Sequence, residues 1–191
     1  MRTLLIYLLA LLLAGCGKST PFNATDISGA EFGRDFQLTD HHQQPRRLQD
    51  FRGKVVVIFF GYTQCPDVCP TNMSAMRAVM DTLGNDAEKL QVLFVTVDPE
   101  RDTAELLAQY VPTFHPSFIG LYGNTATTEA TAREFKVFYR KQPGTTPTTY
   151  TVDHSAGSYV FDPQGRLRLY VKHAEAPPRV AEDVRRLLAG E

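Results

Sequence analysis

The chain has 191 residues, 43% of them hydrophobic, and 20 basic against 21 acidic side chains leave a formal net charge of −1. That length suits one domain with a tail rather than two domains, and the apolar fraction is enough for a core. The balanced charge, without runs of one sign, gives no electrostatic case for nucleic acid, and no internal repeat is present.

In chain order, the first segment reads as a targeting signal. Arg2 precedes the apolar run "TLLIYLLALLLAG", which ends in small residues before Cys16, the layout of a signal peptide. The run is shorter than the about 20 apolar residues that cross a bilayer. Leu13-Ala14-Gly15-Cys16 resembles the bacterial lipobox, where cleavage falls before the cysteine and its thiol carries lipid; the alternative is an uncleaved anchor. Residues 1–15 are thus expected to be a lipoprotein signal peptide and 16–30, small, polar and aperiodic, a lipidated cysteine with a flexible tether. Residues 31–191 are expected to form the domain, held by its lipid anchor on the periplasmic face of a bacterial membrane. Of three cysteines, this leaves Cys65 and Cys69 as a pair in a compartment where disulfides persist.

From Phe32 the pattern changes. "DFQLTDHHQQPRRLQDF" alternates around a polar turn, as in a β-hairpin or a strand leading to an irregular connection. Val55 to Phe60 is a continuous β-branched and aromatic run, predicted to be a central strand buried on both faces. After the cysteines, Met73, Met76, Val79, Met80 and Leu83 share one helical face, with Gly84 as a stop. "LQVLFVTVD" is a second buried strand; Asp102 can cap the next helix, which Pro112 interrupts. "SFIGLYG" is a third strand, and "TTEATAREFKVFYRK" a helix turning Ala132, Phe135, Phe138 and Tyr139 inward. Gln142 to Asp153 reads as a Pro- and Thr-rich loop. "SYVFDPQGRLRLYV" is a hairpin turning at Asp162-Pro163-Gln164-Gly165, and "PPRVAEDVRRLLAG" a closing helix. The alternation predicts an α/β layout, and a first strand ending in a cysteine motif that opens a helix makes the expected fold thioredoxin-like, with a central mixed sheet flanked by helices.

The chemistry concentrates at Cys65-Pro66-Asp67-Val68-Cys69-Pro70. Cysteines at i and i+4 lie on one face of a helical turn, close enough to share a metal or form a disulfide. Pro70 is tolerated only if the helix starts inside the motif, where first-turn N–H groups have no intrahelical partner. At such an N-terminus the dipole is expected to lower the thiol pKa, favouring the thiolate that attacks disulfides or binds metal. A purely structural bridge closing so short a loop would add little stability. Zinc wants four ligands, and there is no second cysteine pair. Two thiolates plus an imidazole would suit copper, sulfur for Cu(I) and nitrogen to hold Cu(II) as well.

Among five histidines, His154, at a loop-to-strand junction late in the chain, is the best-placed third ligand. His41 and His42 lie in a polar turn and are expected to be solvated. His115 looks like a helix-end residue and His173 a surface one. Asp98 ends the second strand, where α/β sheets gather ligands; it and Asp153 are candidates to support the ligands from behind, although Asp98 would equally start a turn.

"FFGYTQCPDVCP", "VDPERDT" and "VDHSAGSYVFDPQGR", in that order behind a lipobox, resemble the Sco/SenC family over roughly residues 30 to 190. The resemblance implies a thioredoxin-fold domain binding one copper, as Cu(I) and Cu(II), through Cys65, Cys69 and His154. It also implies a role in assembling the copper A centre of cytochrome c oxidase subunit II, by delivering copper or reducing thiols. Two other readings use the same cysteines. A thiol-disulfide reductase would work through Cys65 and Cys69, against which stand the three-residue spacing and the missing tryptophan before the pair. A thiol peroxidase would need an oxyanion-stabilising residue that the sequence does not offer.

Overall fold

The structure is a computed structural model that describes residues 20–145 and 149–191. The signal-peptide reading, Cys16 and the start of the tether lie outside the described residues. Among these, no helix is long and apolar enough to cross a membrane.

Ten strands are described: β1 (Thr25–Asp26), β2 (Leu38–Asp40), β3 (Pro45–Arg46), β4 (Val55–Gly61), β5 (Leu90–Thr96), β6 (Ile119–Tyr122), β7 (Tyr139–Pro143), β8 (Tyr150–His154), β9 (Ser158–Phe161) and β10 (Leu167–Val171). Four α-helices join them: α1 (Val68–Leu83), α2 (Ala104–Tyr110), α3 (Thr125–Glu134) and α4 (Pro177–Leu188). Eight strands form one sheet in the order β1-β10-β9-β4-β5-β6-β2-β3. β4, β5 and β6 run parallel, and their flanks are antiparallel. The result is the mixed, helix-flanked, thioredoxin-like sheet the alternation predicts.

β4 and β5 are buried at every position. Their side chains meet other elements on both faces, which is why their sequences are apolar runs rather than alternating patterns. Each fully buried Phe, Leu or Val here contributes about 1.5–3 kcal/mol, and together they make a stiff floor under the cysteine segment. α1 lays Met73, Met76, Val79, Met80 and Leu83 on that floor and stops at Gly84, whose φ of 58° suits glycine.

Three stretches differ from expectation. From Thr20 the tether is docked rather than loose: β1 pairs with β10, and Asp183 of α4 accepts from the Asn23 and Ala24 backbone N–H groups at 2.9 and 2.8 Å. Asp183 is 1% exposed. Asp183→Ala should therefore lower the unfolding free energy by about 1–3 kcal/mol, because a buried donor is left without a partner; urea unfolding of the metal-free protein measures this.

The second difference is at α3, which ends at Glu134 instead of running to Lys141. Lys136 adopts φ 53°, turning the chain out of the helix. Ala132 and Phe135 are buried as expected, but Phe138 is 61% exposed and Tyr139 opens β7. Third, the expected loop contains β8, paired antiparallel with β7 from Tyr139↔His154 to Pro143↔Tyr150. This hairpin is a separate two-stranded sheet.

Candidate metal centre

The site lies where β4 hands over to α1. Gly61 ends the strand, Tyr62 to Asp67 make the turn, and α1 begins at Val68. Pro70 is thus the third helical residue, where its missing N–H leaves no bond broken. Cys65 is partly exposed and Cys69 fully buried, and both are free thiols. The Cys69 backbone N–H, a first-turn donor with no carbonyl partner within the helix, donates to Cys65 Sγ at 3.4 Å.

His154 ends β8, and β8 brings it over this turn. Its Nε2 is 3.3 Å from Cys69 Sγ. One ligand atom from each of Cys65, Cys69 and His154 lies within 4.8 Å of the others. The Nδ1–H donates to the Ser155 carbonyl at 3.0 Å, so in the neutral ring the Nε2 lone pair faces the sulfurs. Phe59 and Tyr62 meet the imidazole edge-on, both with centroids 5.9 Å away. Asn72 Nδ2 donates to the Ala156 carbonyl at 2.9 Å, fastening the β8–β9 connection to α1.

Electrostatics here follow burial. Burial lowers the His154 pKa and keeps the ring neutral. Burial also pushes the Cys69 thiol well above its ordinary range, with the nearby Cys65 sulfur adding to the effect. This overturns the expected lowering at Cys69: the helix N-terminal donor goes to Cys65, while Cys69 sits inside, against β4. A metal ion entering the site must displace the Cys69 proton. Two soft sulfurs and one imidazole nitrogen suit copper in either oxidation state.

Asp98 is fully buried behind the site. It accepts from Arg101 Nε at 2.5 Å and from the Tyr150 hydroxyl at 2.6 Å, so it meets the ligands only through other residues. Asp153 faces outward on β8, opposite Arg140, and accepts from Gln142 Nε2 at 2.6 Å. Asp102 does not cap α2; the Thr103 hydroxyl does, accepting from the Leu106 N–H at 3.2 Å. Asp102 turns inward instead, taking bonds from the Thr63 N–H and hydroxyl and from the Thr96 hydroxyl, which fixes the turn before Cys65. Burial raises its pKa.

The other histidines stand apart. His41 is 6% exposed rather than solvated, because its turn folds over β6, where Nδ1 accepts from the Gly120 N–H at 3.0 Å. Its Nε2 then carries the proton and donates to His42 Nε2, 3.0 Å away. A ring bonded this way at both nitrogens has no lone pair free for metal. His115 bonds Ser117 in its own turn, and His173 is exposed. Sequence reasoning misses Tyr62, Arg101 and Tyr150 and takes Asp102 only for a cap; the adjacency of Arg101 and Asp102 within "VDPERDT" is the available signal.

Fold and donors together define a thioredoxin-like domain with a Cys-Cys-His cluster at the start of its first long helix. A family model for SCO1/SenC matches residues 24–189. Mouse "Protein SCO2 homolog, mitochondrial" is 38% identical over 157 residues, covering 81% of this chain and 62% of that protein. ScoI of Bradyrhizobium japonicum, solved with copper bound, is 37% identical with a TM-score of 0.76, covering 83% of this chain and 99% of that one. Apo Sco1 from Thermus thermophilus is 41% identical with a TM-score of 0.78, covering 90% and 99%. The chain belongs to the SCO1/SenC family. It spans about three-fifths of the mammalian relatives' length.

Proposed function

We propose that this protein is a membrane-tethered copper chaperone that holds one copper ion through Cys65, Cys69 and His154 and helps assemble the copper A centre of cytochrome c oxidase subunit II. The observation that carries the reading is the convergence of two thiols and an imidazole, one ligand atom from each within 4.8 Å of the others. Support comes from a relative solved with copper bound, and the oxidase partner comes from the family resemblance. Lipid on Cys16 would keep the domain at the periplasmic surface beside a membrane-bound recipient.

The donor set gives each residue a task. Cys65 and Cys69 supply the soft pair that Cu(I) prefers, and His154 adds the nitrogen that makes the site competent for Cu(II). In the loaded site the pair is two thiolates. Passing two electrons to an oxidant such as an incoming disulfide, which is reduced to two thiolates, would join them as a disulfide and remove both sulfur donors, so oxidation of the pair would release the cargo. Partial exposure of Cys65 leaves one sulfur open to an incoming partner thiolate.

That same exposure favours a second reading, a thiol-disulfide reductase in which Cys65 attacks and buried Cys69 resolves. An anaerobic copper titration of the reduced protein separates the two. One tightly bound equivalent with a thiolate-to-Cu(II) charge-transfer band, weakened by His154→Ala while Cu(I) binding largely persists, is the expected result. A His154→Ala protein that binds Cu(II) like wild type would remove the imidazole from the ligand set. Absence of a stable complex together with rapid exchange against a disulfide substrate would favour the reductase.

A further inference from the structure

The β7–β8 hairpin that carries His154 is not hydrogen-bonded into the main sheet. A lone two-stranded hairpin is marginal in water, so the position of His154 depends on what ties the hairpin to the domain. One side chain sits at the centre of those ties. Arg101 Nη1 donates to the Tyr150 carbonyl at 2.9 Å and to Gln64 Oε1 at 3.1 Å, while its Nε bonds Asp98. Its guanidinium stacks 3.6 Å from the Tyr150 ring centroid and lies 5.7 Å from that of Tyr62. The Tyr150 hydroxyl closes the loop by donating to Asp98 at 2.6 Å.

Each tie bears on a different part of the site. Gln64 precedes Cys65. Tyr62 packs against the His154 ring. Tyr150 begins β8, and side chains at even spacing share a strand face, so Tyr150, Val152 and His154 point the same way. Exposure follows that alternation, with Thr151 and Asp153 facing solvent. Pinning the Tyr150 ring therefore fixes the rotation of β8 and hence the aim of His154. Arg101 Nη2 meanwhile is buried without a hydrogen-bond partner among the described residues, an exception to the rule that buried polar groups are paired.

We propose that Arg101 is the positioning residue for the third ligand: it joins the cysteine turn to the His154 hairpin and thereby decides whether the site presents two donors or three. Cu(I) is satisfied by the thiol pair, so Arg101 matters most for Cu(II). A planar fork that bonds on two edges and stacks on its face is not reproduced by an ammonium. Lysine should therefore fail to rescue the site even though it keeps the charge.

The inference rests on the copper reading, and one of its tests does not. In the metal-free protein, Arg101→Gln should speed amide hydrogen exchange along β8 relative to β4 and β5; unchanged exchange overturns the proposal whether or not copper binds. Faster exchange upholds the tie even if wild type bound no copper, which would sink the chaperone reading alone. With copper, Arg101→Gln should weaken Cu(II) binding by about 10- to 100-fold, as loss of a ligand's supporting partner does, and Cu(I) binding by at most about threefold. Arg101→Lys should behave like Arg101→Gln, and full rescue by lysine would reduce the role to charge and overturn the proposal. In a His154→Ala background Arg101→Gln should add nothing to the Cu(II) loss, since it acts through that ring; an equal loss there also overturns it. Tyr150→Phe, which deletes only the hydroxyl bond to Asp98, should shift exchange and Cu(II) affinity in the same direction by less. It provides the test if Arg101→Gln does not fold.

Discussion

Cys69→Ser is expected to abolish tight Cu(I) binding while leaving the domain folded. The Cys69 side chain is fully buried and its sulfur is 3.3 Å from His154 Nε2. A serine hydroxyl there could donate to that same nitrogen, whose lone pair is free because Nδ1–H is bonded to the Ser155 carbonyl. The polar substituent is therefore satisfied, and the stability change should stay within about 1 kcal/mol, the net worth of an ordinary hydrogen bond. The metal meets a different situation. A hard alcohol oxygen replaces one of only two soft donors, and Cu(I) discriminates strongly between them. The loss should exceed the about 100-fold that removal of a mere supporting partner can produce. Cys65→Ser should lose Cu(I) similarly, since its sulfur is the second soft donor and its oxygen could still accept the Cys69 N–H. Competition for Cu(I) against a chromogenic chelator, with urea unfolding on the same samples, measures both halves. Wild-type Cu(I) affinity in either variant would mean that the thiol pair does not hold the metal.

Much of this site is legible in the amino-acid sequence, for reasons that particular residues make plain. Val55 to Phe60 announces a strand because both faces of β4 are covered. Pro70 announces where α1 starts, because a proline leaves no helical hydrogen bond broken only in the first turn. What the sequence hides is non-local. Phe138 and Tyr139 continue the apolar spacing of α3, yet Lys136 turns the chain and Tyr139 pairs with His154, fifteen positions on in β8. Asp102 is as good a local cap as Thr103, and the Thr63 N–H and the hydroxyls of Thr63 and Thr96 decide between them. His41 sits in a polar turn, and its burial comes from Gly120, which no local pattern connects to it. The expectation of a low thiol pKa fails at Cys69 for the same kind of reason. A helix N-terminus is a local feature, whereas the desolvation of Cys69 depends on the packing of α1 against β4.

The close fit of strand to helix makes Gly61→Ala a damaging substitution of small size. A Cβ at Gly61 would lie 2.8 Å from Cys69 Sγ, 2.8 Å from Phe59 Cε1 and 2.9 Å from Phe94 Cε2. The glycine is needed for space: it ends β4, pairs with Thr96, and its carbonyl accepts from the Val97 N–H at 2.8 Å. All three obstructing side chains are fully buried, so none can swing into solvent. Overpacking of this kind costs about 1–3 kcal/mol. The two rings are wedged among neighbours, and the Phe59 ring also packs against the His154 imidazole. Relief by either route, moving the sulfur or moving Phe59, changes the distance between donors. Gly61→Ala should therefore lower the urea midpoint and also alter the charge-transfer band and affinity of the Cu(II) complex. Gly84→Ala is the control, because its φ of 58° strains an alanine while its Cβ would meet nothing within 4 Å. That variant should lose about 1–3 kcal/mol, the cost of holding an L residue in a sparsely populated backbone region, yet keep the wild-type band, since Gly84 closes the far end of α1. Equal spectra for Gly61→Ala and Gly84→Ala would mean that the sulfur does not rest against the strand, whereas a shift confined to Gly61→Ala ties the metal geometry to the packing of β4 against α1.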